Sequence, residues 1–122
     1  MADDLKLYDA EYRFALVVWE NEPLHSRKLA ELCSDALGWK RTTTYTVLRK
    51  LCERGILRNE DAIVSSIVKR DEVQGYESAA IVDRAFDGSL PSFITAFLKT
   101  KKLTQEEAFE IQKMIEASKN EV

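Results

Sequence analysis

The feature that most constrains the fold is a short segment between two glycines, whose apolar residues recur with the period of an α-helix. Gly38 and Gly55 bound this segment, and glycine readily adopts the left-handed conformation in which helices end. Residues spaced at i, i+3, i+4 and i+7 share one face of a helix. The spacing predicts a helix over residues 40–54 with one buried face. The buried face consists of Thr44, Val47, Leu48 and Leu51.

Two shorter helices are predicted before this segment. Asp9 is expected to cap a first helix that runs to about Glu20. Asn21-Glu22-Pro23 ends it, because the residue before a proline disfavours the helical conformation. Ser26 is expected to cap a second helix, which ends at Gly38.

A β-hairpin is predicted after the third helix. Residues 56–58 and 62–68 are rich in apolar and β-branched side chains, and Asn59-Glu60-Asp61 between them favours a turn. Three helices followed by a hairpin is the order of a winged helix-turn-helix. We therefore predict a mainly α fold with a winged-helix domain over residues 1–70 and a helical region over residues 71–122.

Three helices are predicted in the second region. Asp71 and Gln74 have capping-box spacing at the start of a fourth helix. Pro91 suits the first turn of a fifth helix, since its missing N–H is not needed there. Thr104 and Glu107 have the same capping-box spacing for a sixth.

The second region carries more apolar surface than a segment of its length can bury alone. Burying one large apolar side chain is worth about 1.5–3 kcal/mol, so leaving many of them in water is unfavourable. Packing against a second copy removes this surface from water, which predicts a homodimer. In the alternative, these helices fold back onto the winged helix of the same chain. The residues predicted to form the dimer interface are Ile81, Phe86, Phe93, Ile94, Phe97, Phe109, Ile111, Met114 and Ile115.

Residues 38–58 are a basic island in an acidic chain. Their net charge is +5, whereas the whole chain carries −3, so the remainder carries −8. Cationic charge gathered on one element, against the sign of the whole chain, is typical of a surface that binds a polyanion. The cations are Lys40, Arg41, Arg49, Lys50, Arg54 and Arg58.

The polar face of the third helix suits the reading of DNA. Arginine can bond to both acceptors of guanine, and threonine offers a hydroxyl group and a methyl group for thymine. Lys40 and Arg41, at the N-terminal end, are expected to reach phosphates or flanking bases. The wing turn contains two acids, so no base contact is assigned there. The predicted DNA-binding residues are Lys40, Arg41, Thr42, Thr43, Tyr45, Thr46, Arg49, Lys50 and Arg58.

An alternative function is a winged helix that contacts a protein partner without specific DNA binding. The net acidity of the chain favours it mildly. The cationic face around Lys40, Arg41 and Arg49 is the feature that separates the two interpretations, because it favours double-stranded DNA as the partner.

Patterns typical of other functions are weak. His25, the one histidine, stands in a predicted loop with no nucleophile motif nearby, and the glycines form no phosphate-binding loop. Cys33 and Cys52 have no metal-ligand spacing and are predicted to be buried, inert thiols. We predict no enzymatic activity, no cofactor and no metal. The apolar runs are too short to span a bilayer and the first residues do not resemble a signal peptide, so a cytoplasmic location is expected.

An ordered set of residues resembles the penicillinase-repressor (BlaI/MecI) family of winged-helix regulators. The set comprises Tyr12-Arg13-Phe14-Ala15-Leu16-Val17-Val18-Trp19, Leu29-Ala30-Glu31, Trp39, Thr43, Thr46, Leu48, Leu51, Gly55, Phe97 and Leu103-Thr104-Gln105-Glu106-Glu107. The resemblance implies a homodimeric repressor that binds dyad-symmetric operators through its N-terminal domain and dimerises through its C-terminal helices. It also implies release from DNA when a membrane-bound sensor signals through proteolysis of the dimerisation region.

The sequence departs from this family in ways that bear on its function. Lys40-Arg41-Thr42 stands where the family often has Ser-Pro-Lys, so the operator preference is expected to differ. Phe97 matches the residue after the family's cleaved bond, but Ala96 replaces the usual asparagine, which makes cleavage between Ala96 and Phe97 a hypothesis. Since no cysteine follows Cys52, copper sensing through thiolates is disfavoured. The inducing signal stays open.

Overall fold

The computed structural model describes residues 4–120 as a mainly helical chain with one small sheet. Residues 1–3, on which the signal-peptide prediction partly rests, lie outside the described residues. No helix of residues 4–120 combines the length and apolar character that a bilayer crossing requires. The helices are α1 Asp9–Asn21, α2 Ser26–Leu37, α3 Arg41–Glu53, α4 Arg70–Phe86, α5 Leu90–Thr100 and α6 Gln105–Lys119. The strands are β1 Leu24–His25, β2 Leu57–Glu60 and β3 Ile63–Ser66.

The predicted class, a winged helix followed by further helices, is confirmed by this order of elements. By compactness the chain divides into two units, and the division falls inside α4, between Ala80 and Ile81. The functional domain bounds at residues 1–70 and 71–122 stay a prediction.

The first unit has a continuous apolar core to which α1, α2, α3 and the sheet contribute. Phe14, Leu29 and Leu51 are fully buried within it. The Phe14 ring stacks on Trp39 with the ring centroids 5.7 Å apart. Phe14 therefore ties α1 to the segment between α2 and α3. The predicted inner face of α3 is confirmed, since Thr44, Leu48 and Leu51 are buried and Val47 packs partly against the core.

Three predicted N-terminal caps are wrong by one or two positions. Tyr8, rather than Asp9, is the N-cap residue of α1, and its backbone N–H donates to Glu11 Oε1 at 2.9 Å. His25, rather than Ser26, caps α2, because its Nδ1 accepts the backbone N–H of Arg27 at 3.1 Å. The α4 helix begins at Arg70, and the Glu72 carboxylate accepts the backbone N–H of Lys69 at 3.0 Å. The predicted box of Asp71 and Gln74 therefore does not form. A free acceptor on any nearby side chain can satisfy these N–H groups, so sequence spacing leaves the choice among neighbours open.

Other predicted helix ends are confirmed. Gly38 ends α2 with φ of 70°. Pro91 lies in the first turn of α5. Thr104 and Glu107 form the capping box of α6, where Thr104 Oγ1 accepts the backbone N–H of Glu107 at 3.0 Å.

The hairpin differs from its prediction in the position of its turn. The β2 and β3 strands are antiparallel, and Glu60 pairs with Ile63. The turn is therefore Asp61-Ala62, with φ of 52° and 69°, the backbone signs of a type I′ turn. The turn predicted at residues 59–61 is wrong, because Asn59 and Glu60 continue the strand.

A third strand, β1, was not predicted. Leu24 pairs with Val64 and His25 with Ile63, so β3 lies between β1 and β2. Two residues are too few to produce a periodic pattern. The strand places the start of α2 against the hairpin, where Ser26 donates its backbone N–H to Ala62 O at 2.7 Å.

Candidate nucleic-acid interface

The α3 helix presents one continuous polar face opposite its buried stripe. Lys40 is its N-cap residue and Arg54 its C-cap residue. Tyr45 is half-buried, and the other predicted DNA-binding residues of this helix are exposed: Lys40, Arg41, Thr42, Thr43, Thr46, Arg49 and Lys50. The amphipathic pattern places these side chains on one accessible surface, which we call the α3 face.

The threonines of the α3 face form a shallow depression. Its volume is about 220 Å³, and Thr42, Thr43, Thr46 and Val47 line it. Thr46 Oγ1 donates its hydrogen to Thr42 O at 2.9 Å. The Thr46 hydroxyl can therefore still accept a hydrogen bond from a ligand while its proton stays bonded to the helix backbone.

The cations of the basic island divide into paired and unpaired groups. Lys50 Nζ lies 3.3 Å from Glu11 Oε2, and Arg54 Nη1 lies 3.6 Å from Glu11 Oε1. Arg58 Nε lies 3.1 Å from Glu60 Oε1. Within the described residues, Lys40, Arg41 and Arg49 form no salt bridge. The uncompensated charge therefore lies on the N-terminal and middle parts of α3.

Glu11 is the partner of two cations of the basic island, and the sequence motifs do not reveal it. Its side chain is only 8% exposed, although α1 otherwise buries apolar residues. A polar residue at helical spacing from Phe14 and Val18, on the buried stripe, was the available signal. Its cationic partners come from a distant part of the chain, so spacing could not have identified them.

The wing carries little free positive charge. Arg58, Asn59 and Asp61 are exposed, and Arg58 is paired with Glu60 on the same strand. An exposed ion pair of this kind is weak, about 0–1 kcal/mol, so Arg58 can leave it for a phosphate. The acids at the tip still disfavour close approach to a polyanion.

The two cysteines and the possible metal-ligating side chains are the remaining candidate groups. Cys33 is buried and Cys52 half-buried, and both thiols are free. Burial raises the pKa of the Cys33 thiol and of the Cys52 thiol, which keeps both protonated at neutral pH. Within residues 4–120, no group of three His, Cys, Asp or Glu side chains is placed to hold a metal ion.

The second unit exposes the side chains predicted to form a dimer interface. No residue of α5 or α6 is buried. Phe86 and Phe93 are half-buried, with ring centroids 5.4 Å apart. Seven of the predicted interface residues are exposed: Ile81, Ile94, Phe97, Phe109, Ile111, Met114 and Ile115.

Comparison with known proteins places the chain in a family. The family model of the penicillinase repressor matches residues 7–117. The chain belongs to the penicillinase repressor family. The penicillinase repressor of Bacillus licheniformis is 24% identical over 120 residues, which cover 94% of this chain and 93% of that relative. The penicillinase repressor match includes all of α1–α5 and most of α6, so it extends over both units.

Penicillinase repressor membership confirms the predicted resemblance and the predicted class of function. The family is one of DNA-binding transcriptional repressors. Its members regulate transcription and are not, as a class, enzymes.

Proposed function

We propose that this chain is a sequence-specific transcriptional repressor that binds a dyad-symmetric operator as a homodimer. In this proposal α3 lies in the major groove, with Arg49, Thr42 and Thr46 directed at base edges. Lys40 and Arg41 contact phosphates at the entrance of the groove. Thr43 and Tyr45 complete the contact surface, and Arg58 of the wing reaches the flanking backbone.

The single observation that carries this proposal is the unpaired charge of the α3 face. Lys40, Arg41 and Arg49 are exposed and form no salt bridge within the described residues. The opposite side of the same helix is held by buried Leu48 and Leu51. A helix that is fixed by its buried face, with free cations and threonine hydroxyls on its exposed face, is suited to groove reading.

The homodimer follows from the exposed apolar side chains of the second unit. A two-fold axis presents two α3 faces to DNA, and the two half-sites must then be related by the same symmetry. The operator is therefore expected to be palindromic, with half-site centres separated by one helical turn or a multiple of it.

Arg49→Ala tests the proposed function. Loss of a guanidinium that bonds to a base edge is expected to weaken specific operator binding by about 1–3 kcal/mol while the dimer stays intact. The operator is first obtained by selecting bound duplexes from random DNA, and affinity is then measured by fluorescence anisotropy over a range of salt concentrations.

Arg13→Ala is the matched control for this experiment. Arg13 is exposed on α1, outside the α3 face, and its loss changes the net charge by the same amount. It is expected to bind the operator as the parent does. Unchanged affinity in Arg49→Ala, or binding that does not depend on salt, would instead support a winged helix that contacts a protein.

Release from DNA is proposed to occur by cleavage between Ala96 and Phe97, carried out through a membrane-bound sensor protease. This bond lies inside α5. Proteases bind extended chains, so α5 must open locally before it is cut. Within one chain α5 buries no side chain, so the contacts that oppose its opening would come mainly from the second copy of the dimer.

A further inference from the structure

A buried carboxylate joins α1 to the C-terminal end of α3. Glu11 Oε2 is buried and makes no hydrogen bond within the described residues. The ammonium group of Lys50, 3.3 Å away, is the cation that contacts this oxygen. The other oxygen, Oε1, accepts the backbone N–H of Tyr8 at 2.9 Å. Removing Lys50 would leave the buried carboxylate with Arg54 as its one charged partner and would leave Oε2 without a cation in contact, which is unfavourable.

Arg54 extends this contact to the N-terminal segment. Its Nη1 lies 3.6 Å from Glu11, and its Nη2 donates to the carbonyl oxygens of Asp4 at 3.1 Å and Lys6 at 2.6 Å. Lys50 and Arg54 are four residues apart and so lie on one side of the helix end. Cations there also interact favourably with the C-terminal carbonyl groups of α3.

Arg49 and Lys50 are neighbours in the chain but have different surroundings. They point about 100° apart around the helix axis. Arg49 is exposed without a salt bridge among residues 4–120, whereas the Lys50 ammonium is held by Glu11. The cations of α3 are thus divided between an accessible set and a set that contacts the protein itself.

We propose that Glu11 positions α3 through Lys50 and Arg54, and that Lys50 is a positioning residue rather than a DNA contact. This inference rests on the proposed DNA-binding function. Glu11 holds the C-terminal end of α3 against α1, which fixes the orientation in which Thr42, Thr46 and Arg49 are presented. Phosphate contact is then left to Lys40 and Arg41 at the other end of the helix.

The salt dependence of operator affinity tests this role. Lys40→Ala and Lys50→Ala are the same substitution at the two ends of α3, made in the full-length chain. Affinity falls as the salt concentration rises, and removing a phosphate contact makes the slope of log affinity against log salt concentration less steep by about one unit. We expect this change in Lys40→Ala only. Lys50→Ala should lower affinity by the same factor at every salt concentration, and Lys50→Arg should restore it.

A thermodynamic cycle tests the contact itself. Glu11→Gln, Lys50→Ala and the double variant are compared by their midpoints of urea unfolding. If the two residues are coupled, the double variant is about as stable as the less stable single variant. If they are independent, the losses in free energy of unfolding add. If Glu11→Gln does not fold, the comparison of Lys50→Ala with Lys50→Arg still decides the positioning role.

Three results contradict the inference. A slope that is less steep by about one unit in Lys50→Ala means that Lys50 contacts phosphate. Additive losses in the cycle, or Lys50→Ala with the parent's affinity, mean that Glu11 and Lys50 do not position the helix. If Lys40→Ala and Arg49→Ala both bind as the parent does, the proposed function itself fails rather than this inference.

Discussion

Single residues in this chain take their roles from what lies beside them in the fold. Arg49 and Lys50 carry the same charge on adjacent positions, yet one is free and the other compensates Glu11. Thr44 and Thr46 are the same residue type on the same helix, but Thr44 is buried and Thr46 is exposed. The helical period separates the threonines correctly, because it decides which side of α3 is buried. It cannot separate the cations, because Arg49 and Lys50 both lie on the exposed side of the helix.

The bond between Ala96 and Phe97 is the proposed cleavage site. If cleavage of this bond releases the repressor from DNA, cells in which repression has been lifted should contain a fragment that ends at Ala96. The intact mass of the recovered fragment measures this. Phe97→Pro places proline after the bond and is expected to block cleavage. Ile111→Pro, in α6, is the matched control for helix disruption and should still be cut. Fragments ending elsewhere, or derepression with uncut protein, would contradict this site.

Gly38 and Gly75 differ in backbone conformation. Gly38 has φ of 70° at the end of α2, and it starts the short connection to α3. Gly75 lies inside α4 without a positive φ. A methyl group at either position meets no atom of the described residues within 4 Å. Backbone conformation alone therefore distinguishes the two glycines.

Alanine substitution at these glycines is expected to have opposite effects. Gly38→Ala should lower the free energy of unfolding by about 1–2 kcal/mol, because the left-handed conformation is strained for alanine. Gly75→Ala should raise it by about 0.5–1 kcal/mol, because alanine favours a helix interior. Urea unfolding of both variants measures the difference. Shifts of the same sign would contradict the assigned backbone conformations.

At the scale of the whole molecule, the second unit differs from the first in its exposed apolar surface. The α5 and α6 helices bury no side chain, whereas the first unit has a continuous core. Exposed side chains in this number are typical of an interface between protein chains. The proposed partner is a second copy, which would also pair the two α3 faces.

The assembly prediction is tested by mass. Light scattering at micromolar concentration should give twice the 14.0 kDa of one chain. Phe109→Asp should yield a monomer with weakened operator binding, because a charge cannot be buried in an apolar interface without a partner. Tyr8→Asp is the matched control, since Tyr8 is 64% exposed and Phe109 62%. A parent mass of one chain would favour helices that fold back on their own winged helix.

The sequence by itself determined the elements whose signals are local. The stripe of Thr44, Leu48 and Leu51 predicted α3, Gly38 predicted the end of α2, and Thr104 with Glu107 predicted the start of α6. Each follows from the helical period, a backbone preference or the reach of one side chain. These act within a few residues and do not depend on the rest of the fold.

Only the tertiary structure decided which groups meet across the chain. The pairing of Leu24 with Val64 created a strand that two residues could not signal. The Asp61-Ala62 turn followed from the register of β2 against β3. Glu11 forms salt bridges with Lys50 and Arg54, so these two cations of the basic island are paired. Such contacts join distant segments, and their energies depend on burial, which local sequence patterns do not specify.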